Sequence, residues 1–425
     1  MRVLILSQHF WPETFRINEV AESLIAAGCE VTVLTGQPNY PEGRIFDGYR
    51  AAGLAVETHP SGYRIHRVPL CPRGAGGAKR LVANYLSFLT AASVLGPWSL
   101  RGRHFDVIFV YGTSPILQAI AGIVLKHVKR ARLVTWVQDL WPQSLEVTGF
   151  VRSPQLLGAV ASVVRWIYRR NDLLLVQSQA FEPPVRAMAG ATPVEYHPNP
   201  GELAFSAPAG TGPAALTLPE GFNVVFAGNF GTVQALETVV EAAALLRDRA
   251  DLSPGIRIVM VGSGSRGAWL EAEIARRGLD NLVLAGRFPP QAMPGLLDQA
   301  AAVLVSLNRG EILSQTVPSK VQAYLAAGRP IIASLDGEGA RVVEAAGAGI
   351  AVTAEDAAAL AEGILRLHAM TPQTRQALGD AGRRYYERHF APEALAARLA
   401  ARFQQLVVGS RGDWPFTDAQ DKQSP

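Results

Sequence analysis

Two cysteines, Cys29 and Cys71, in 425 residues cannot build a disulfide framework, and they fit a reducing compartment. No Asp-x-Asp occurs, and no acidic, His or Cys cluster has metal-ligand spacing, so no metal is expected. The opening MRVLILSQHF has too short an apolar run for a signal peptide and reads as a first β-strand. Charge is missing over one long stretch: Leu81 to Leu100 has no Asp, Glu, Lys or Arg. That length would permit a membrane span, but Asn84, Ser87, Thr90, Ser93 and a Gly96-Pro97 break dilute it. Lys79 and Arg80 precede it, and Arg101, Arg103 and His104 follow. Residues 73–104 therefore read as a basic apolar region. A peripheral membrane-contacting hairpin, a buried helix pair and a true span all remain open for it.

What is present is a folded chain, 48% apolar and long enough for two or three domains. The net charge of +4 is uneven, at +6 over residues 1–205 and −2 over the remainder. A basic first half points to an anionic surface or ligand. Strand and helix patterns alternate from the start: Val3–Ser7, a helix over Asn18–Ala27 stopped by Gly28, then Val31–Thr35. Further strands are expected at Arg64–Val68, Val107–Tyr111, Leu133–Val137 and Leu173–Gln177. Nine of the 24 residues from Pro198 to Gly221 are Pro or Gly, which marks a linker. The alternation then restarts with Asn223–Ala227, Ile256–Val261, Leu282–Leu284, Ala302–Leu307 and Ile331–Ser334. Three closing helices lie near 355–368, 373–388 and 392–407, and the tail from Gly409 has no pattern. The class is α/β, with two doubly wound Rossmann-like domains facing across a cleft: residues 1–200 and 222–408, joined by 201–221 and followed by a disordered 409–425.

Chemistry concentrates where strands end. Asn308–Ser334 reads as loop, helix and strand, with Thr316 and Ser319 flanking Pro318 and Gly328 closing the helix. A helix start offers unpaired N–H groups to an anion. Lys320 in that first turn opposes the helix dipole, which makes sense if an anion sits nearby. Asp139 ends another strand, where α/β sheets place their chemistry, and could instead be an N-cap for the turn at Pro142.

Five stretches together resemble one family: Ser7–Glu13 (SQHFWPE), Val137–Pro142 (VQDLWP), the Gly228–Gly231 turn, Gly262-Ser263-Gly264, and Pro318-Ser319-Lys320 with Tyr324 and Ala326–Pro330. The chain from Met1 to about Leu406 is similar to the GT-B retaining glycosyltransferases of family 4. Within that family it resembles bacterial O-antigen, capsule and colanic-type transferases, including L-fucosamine transferases. The resemblance implies a UDP-sugar donor in the second domain, a lipid-linked glycan acceptor in the first, no cofactor and no nucleic-acid partner. It also implies a cytoplasmic protein, peripheral on the inner face of the plasma membrane. Lys320 would stabilise the leaving diphosphate, and Asp139 would serve the acceptor. Donor contacts would come from Gly228, Asn229, Gly231, Thr232, Gly262, Gly264, Arg287, Glu311, Thr316, Ser319 and Glu338, with the Gly231 and Thr232 amides opening a helix. Acceptor contacts would come from Trp11, Glu13, Arg16 and Asn39. The chain departs from the family at Asn229 and Gln234, where cations are common, at Gln315 and Ala323 in place of a Glu pair, and at Gln138 in place of a His. Those departures leave room for a GT-B nucleotide-sugar epimerase or a non-catalytic sugar-nucleotide binder.

Overall fold

The computed structural model describes residues 1–74, 77–147, 151, 153–201, 217–247, 249 and 255–409. Most of the expected linker and nearly all of the expected tail lie outside the described residues. The chain divides into two compact units. The first comprises residues 1–177, 181–199 and 392 onward, and the second residues 178–180 and 200–391.

The first unit is built on an eight-stranded sheet: β1 (Arg2–Leu6), β2 (Glu30–Thr35), β3 (Ala55–Thr58), β4 (Arg64–Arg67), β5 (Val107–Gly112), β6 (Arg132–Val137), β7 (Leu173–Val176) and β8 (Val194–Tyr196). Its order is β3-β4-β2-β1-β5-β6-β7-β8, parallel except where β3 meets β4. Central strands are apolar along their whole length because helices cover both faces. Alternate residues serve opposite cores: Leu4, Leu6, Ile108 and Val110 pack on one side, Val3, Ile5, Val107 and Phe109 on the other.

The second unit holds a six-stranded, wholly parallel sheet: β9 (Phe222–Asn229), β10 (Ile256–Ser263), β11 (Leu282–Gly286), β12 (Ala302–Ser306), β13 (Ile331–Ser334) and β14 (Gly349–Val352), in the order β11-β10-β9-β12-β13-β14. In each sheet the strand order reverses once, beside β1 and β5 in the first and beside β9 and β12 in the second. The crevice outside the carboxyl ends at such a reversal is where α/β sheets hold ligands. The loops after β1, β5, β9 and β12 are therefore the ones to inspect.

Two expectations are corrected. The uncharged stretch forms one continuous helix, Ala78–Ser99, and not a hairpin broken at Gly96-Pro97. Pro97 falls in the last turn, where its missing N–H removes a single bond. Gly96 is a packing residue: a Cβ there would come within 2.9 Å of the Leu34 side chain. By length and composition this helix could cross a membrane, yet only 22% of its apolar window is buried, so it is not an ordinary core helix. The last helix, Pro392–Val408, belongs with the first unit and not the second. Leu399 and Phe403 are buried in the core of β1 and β5, and the Phe403 ring meets Phe109 edge-on at 5.3 Å.

Candidate active site

In the second unit, the turn after β9 carries Gly228 and Asn229, and the turn after β10 carries Gly262, Ser263 and Gly264. Strand pairing brings Gly228 opposite Gly262. The backbones approach so closely that a Cβ on Gly262 would lie 1.8 Å from the Gly228 carbonyl oxygen, and one on Gly264 2.5 Å from Asn229 Oδ1. These glycines, Arg287, Phe288 and Met293 line a cavity of about 440 Å³ at the carboxyl ends of β9 to β11.

Lys320 reaches this turn from the next loop. It is the second residue of the helix Ser319–Ala327, which ends at Gly328 in the left-handed conformation. Its Nζ lies 3.7 Å from the centroid of the Phe226 ring and donates to Gln234 Oε1 at 2.5 Å. A Cβ on Gly228 would stand 2.4 Å from Lys320 Cε, so the missing side chain there is what admits the lysine. Burial pushes the ammonium down to about 7, because a cation loses hydration against an aromatic face and apolar backbone. Tyr324, one turn on, is buried and accepts the Ala227 N–H at 2.8 Å, tying the helix to the end of β9.

The other expected donor residues lie on the segments that follow β9, β12 and β13. Gly231 and Thr232 do not open a helix, as the sequence suggested: the helix begins at Leu236, and they form a turn that Asn308 holds through the Thr232 carbonyl at 3.0 Å. Thr316 is half-buried in the loop before Pro318, and Ser319 is the exposed first residue of its helix without a capping bond. Glu311 is exposed at the head of the short helix Glu311–Ser314. Glu338 is buried at the head of Glu338–Ala345, and Arg341 grips both its oxygens at 3.0 and 2.9 Å. A Cβ on neighbouring Gly337 would meet the Ser314 carbonyl oxygen at 2.0 Å, so the loops after β12 and β13 touch there.

In the first unit, Asp139 does not cap the turn at Pro142. Its carboxylate accepts the Ser114 N–H at 3.0 Å and joins the loops after β5 and β6. Trp141 Nε1 donates to the Ser114 hydroxyl at 2.9 Å, fixing the same loop pair.

Glu13 corrects a second expectation. It is 2% exposed, and it is a strut, not an acceptor contact. Oε1 accepts the Asn39 and Tyr40 N–H groups at 2.6 and 2.7 Å, while Oε2 accepts the Phe10 N–H at 3.3 Å and lies 3.0 Å from His9 Nδ1. Asn39 is likewise fully buried, and its Oδ1 accepts from the Arg73 N–H and Asn84 Nδ2. Trp11 is half-buried against His59, and Arg16 opens the helix Arg16–Ala26. Glu13→Ala should cost about 2–5 kcal/mol, since it strands two buried backbone donors. Urea denaturation beside a melting curve measures this, and a cost below 1 kcal/mol would contradict the strut.

Sequence reasoning missed a buried amide chain. Gln118 Oε1 accepts the Gln8 N–H at 2.9 Å, Gln8 Nε2 donates to Asn84 Oδ1 at 2.7 Å, and Asn84 Nδ2 donates to the Cys71 carbonyl at 2.7 Å. Asn84 thus anchors the long apolar helix to the segments after β1, β2 and β4. Its polar side chain inside an uncharged run was the visible signal.

Two family descriptions match this chain: "Glycosyl transferase 4-like domain" over residues 14–200 and "Glycosyl transferases group 1" over residues 221–370. The chain is a glycosyltransferase of the GT-B fold. Over 348 residues the transferase is 28% identical to an Escherichia coli (strain K12) protein, WcaI, whose name assigns it to colanic acid biosynthesis; the match covers 77% of this chain and 82% of that one. Among solved structures, it superposes on sucrose-phosphate synthase from Thermosynechococcus elongatus with a TM-score of 0.68 at 22% identity, covering 96% of this chain and 100% of that one. Anabaena Alr3699/HepE in complex with UDP and glucose gives a TM-score of 0.62 at 15% identity, covering 95% and 100%. At those identities the structural likeness speaks for the fold alone.

Proposed function

We propose that the transferase moves an N-acetylated amino or deoxy sugar from a UDP-sugar to a polyprenyl-diphosphate-linked glycan, with retention, during assembly of a colanic-, capsule- or O-antigen-type surface polysaccharide. The observation that carries the reading is the Lys320 ammonium, set against the Gly228 turn at the strand-order reversal of the second sheet. A diphosphate leaving there meets a cation and backbone amides, and this charge would suffice without a metal. The colanic acid assignment of WcaI supports the pathway class. Asp139, at the carboxyl end of β6, is the candidate group that receives or orients the acceptor hydroxyl. The exposed helix Ala78–Ser99, with Lys79, Arg80, Arg101 and Arg103 at its ends, would hold the protein on the cytoplasmic face of the membrane.

A screen of nucleotide-sugars against a short polyprenyl-diphosphate GlcNAc acceptor tests the reading, with nucleotide release and product mass as readouts. Transfer from a UDP-sugar alone is expected; turnover only with another nucleotide, or only without the lipid acceptor, would sink it. Asp139→Asn should lower kcat by about 10²–10⁴-fold while UDP binding stays unchanged. Equal loss of both would mean that the carboxylate only shapes the fold.

A further inference from the structure

The first unit contains a groove that the chemistry above does not use. We infer that it seats the hydrocarbon chain of the lipid-linked acceptor, between the helix Ala78–Ser99 and the loops carrying Ser114 and Trp141. This rests on the reading that the acceptor is lipid-linked. Leu81, Tyr85, Pro115, Leu117, Trp141 and Leu145 line the groove, which has a volume of about 600 Å³ and almost no polar surface.

Three observations identify the occupant. First, the groove runs to the candidate acceptor site: Ser114, on its wall, donates its N–H to Asp139. Second, a cation acts on the same wall. Tyr85, also on the wall, lies within the electrostatic reach of Arg73 and Asp139, and the Arg73 guanidinium stacks 5.2 Å from the Tyr40 ring. Groove, cation and carboxylate together supply what one lipid-linked acceptor needs: a seat for its hydrocarbon, a counter-charge for its diphosphate and a group for its reacting hydroxyl. Third, the surroundings suit a bilayer surface. The helix Ala78–Ser99 exposes Val82, Leu86, Val94 and Trp98, and the helix Pro154–Tyr168, packed on the same Ile116–Gln118 turn, exposes Leu156, Val163 and Trp166. Each helix ends in an exposed Trp faced by an Arg, Trp98 with Arg101 at 4.6 Å and Trp166 with Arg170 at 4.1 Å. Trp and Arg favour the headgroup layer, where an apolar ring and a charge are both satisfied. A second apolar groove along the same helix, of about 840 Å³ and lined by Pro69, Leu70, Thr90 and Val94, is the natural competitor; like the first it has no charged residue on its wall, but it lacks Ser114, the wall residue bonded to Asp139.

The test is photo-crosslinking of the full chain with a benzophenone-bearing farnesyl monophosphate, displaced by excess geranylgeranyl monophosphate, with labelled peptides mapped by mass spectrometry. Label is expected on Ser114–Leu117 and Trp141–Leu145. Leu117→Trp, which fills the groove, should cut it by ~10-fold or more, with an unchanged melting curve. Leu145→Ser, which makes the wall polar without filling it, should weaken labelling as well. Label on Ala51–Ala52 and Pro69–Pro72, label that geranylgeranyl monophosphate does not displace, or label indifferent to both variants would overturn the assignment. The probe has no sugar and the assay no donor. Correct labelling without sugar transfer would therefore refute the proposed reaction, and transfer with misplaced label would refute the groove.

Discussion

Lys320→Ala should lower turnover by about 10²–10³-fold at saturating donor, with little change in the melting curve. Negative charge grows on the diphosphate as the glycosidic bond breaks, and only a group that interacts more strongly with that state than with the bound donor accelerates the step. The Lys320 ammonium is poised for this because it is poorly compensated in the free chain. Its partners are the neutral Gln234 amide at 2.5 Å and the face of Phe226 at 3.7 Å, and no carboxylate among the described residues bonds to it. Arginine should not rescue the variant, since the Lys320 stem already fills the space over Gly228. Turnover within about twofold of the parent would remove Lys320 from the chemistry.

Burial holds Lys320 down at about 7, so pH gives a second readout with a defined sign. A diphosphate stabilises the cation and raises its pKa, so binding of UDP at pH 8–9 should draw in close to one proton. Calorimetry in buffers of different ionisation enthalpy measures that uptake, which Lys320→Met should abolish. In the free protein, the folded chain holds fewer protons than the unfolded chain between about pH 7 and the ordinary lysine value of 10.5. The contribution of Lys320 to stability is therefore least favourable below pH 7 and improves as pH rises through that window. Urea unfolding at both ends of the window, with and without the lysine, isolates this term.

Gly262→Ala should destabilise the second unit by about 3 kcal/mol or more and weaken UDP binding at least ~100-fold. Gly262 has φ +144°, outside the range of L side chains, and its new methyl would lie 1.8 Å from the Gly228 carbonyl oxygen. Both partners are backbone, so relief requires β9 and β10 to part at their carboxyl ends, which are the floor of the 440 Å³ cavity. Gly278→Ala is the matched control. It also has positive φ, at +62°, but faces open space, and should cost only about 1 kcal/mol without affecting UDP. Equal effects of the two substitutions would show that conformational strain, and not backbone approach, decides the result.

Much of the scaffold was legible in the sequence, because buried parallel strands announce themselves as apolar runs that end in glycine. The strands Phe222–Asn229 and Ile256–Ser263 are of that kind, and they carry most of the 440 Å³ cavity; the helix Ser319–Ala327 was marked by the Gly328 that closes it. The edge strand Ala55–Thr58 was not legible: it is largely exposed and lacks the apolar run that marks the central strands. Pairings over long sequence distances were equally hidden. Nothing local ties Gln234 to Lys320, 86 positions on, or Glu13 to the amides of Asn39 and Tyr40. A glutamate in an aromatic loop looks the same from sequence whether it faces a sugar or supports the loop. Gly96-Pro97 misled for a related reason, since a glycine needed for contact with Leu34 reads like a helix breaker.

The placement of the last helix has a consequence for how the protein is made. Residues 200–391 are an insertion within the first unit, whose closing piece is translated after them. When the ribosome has released residues 1–199, the core around Phe109 still lacks Phe403 and Leu399, and its apolar side stays open until the whole of the second unit has emerged. The second unit can therefore fold on the nascent chain before its host is complete. A fragment cut at Asn199 should be insoluble or molten, whereas the same fragment supplied with residues 392–409 as a separate peptide should regain a cooperative melting transition.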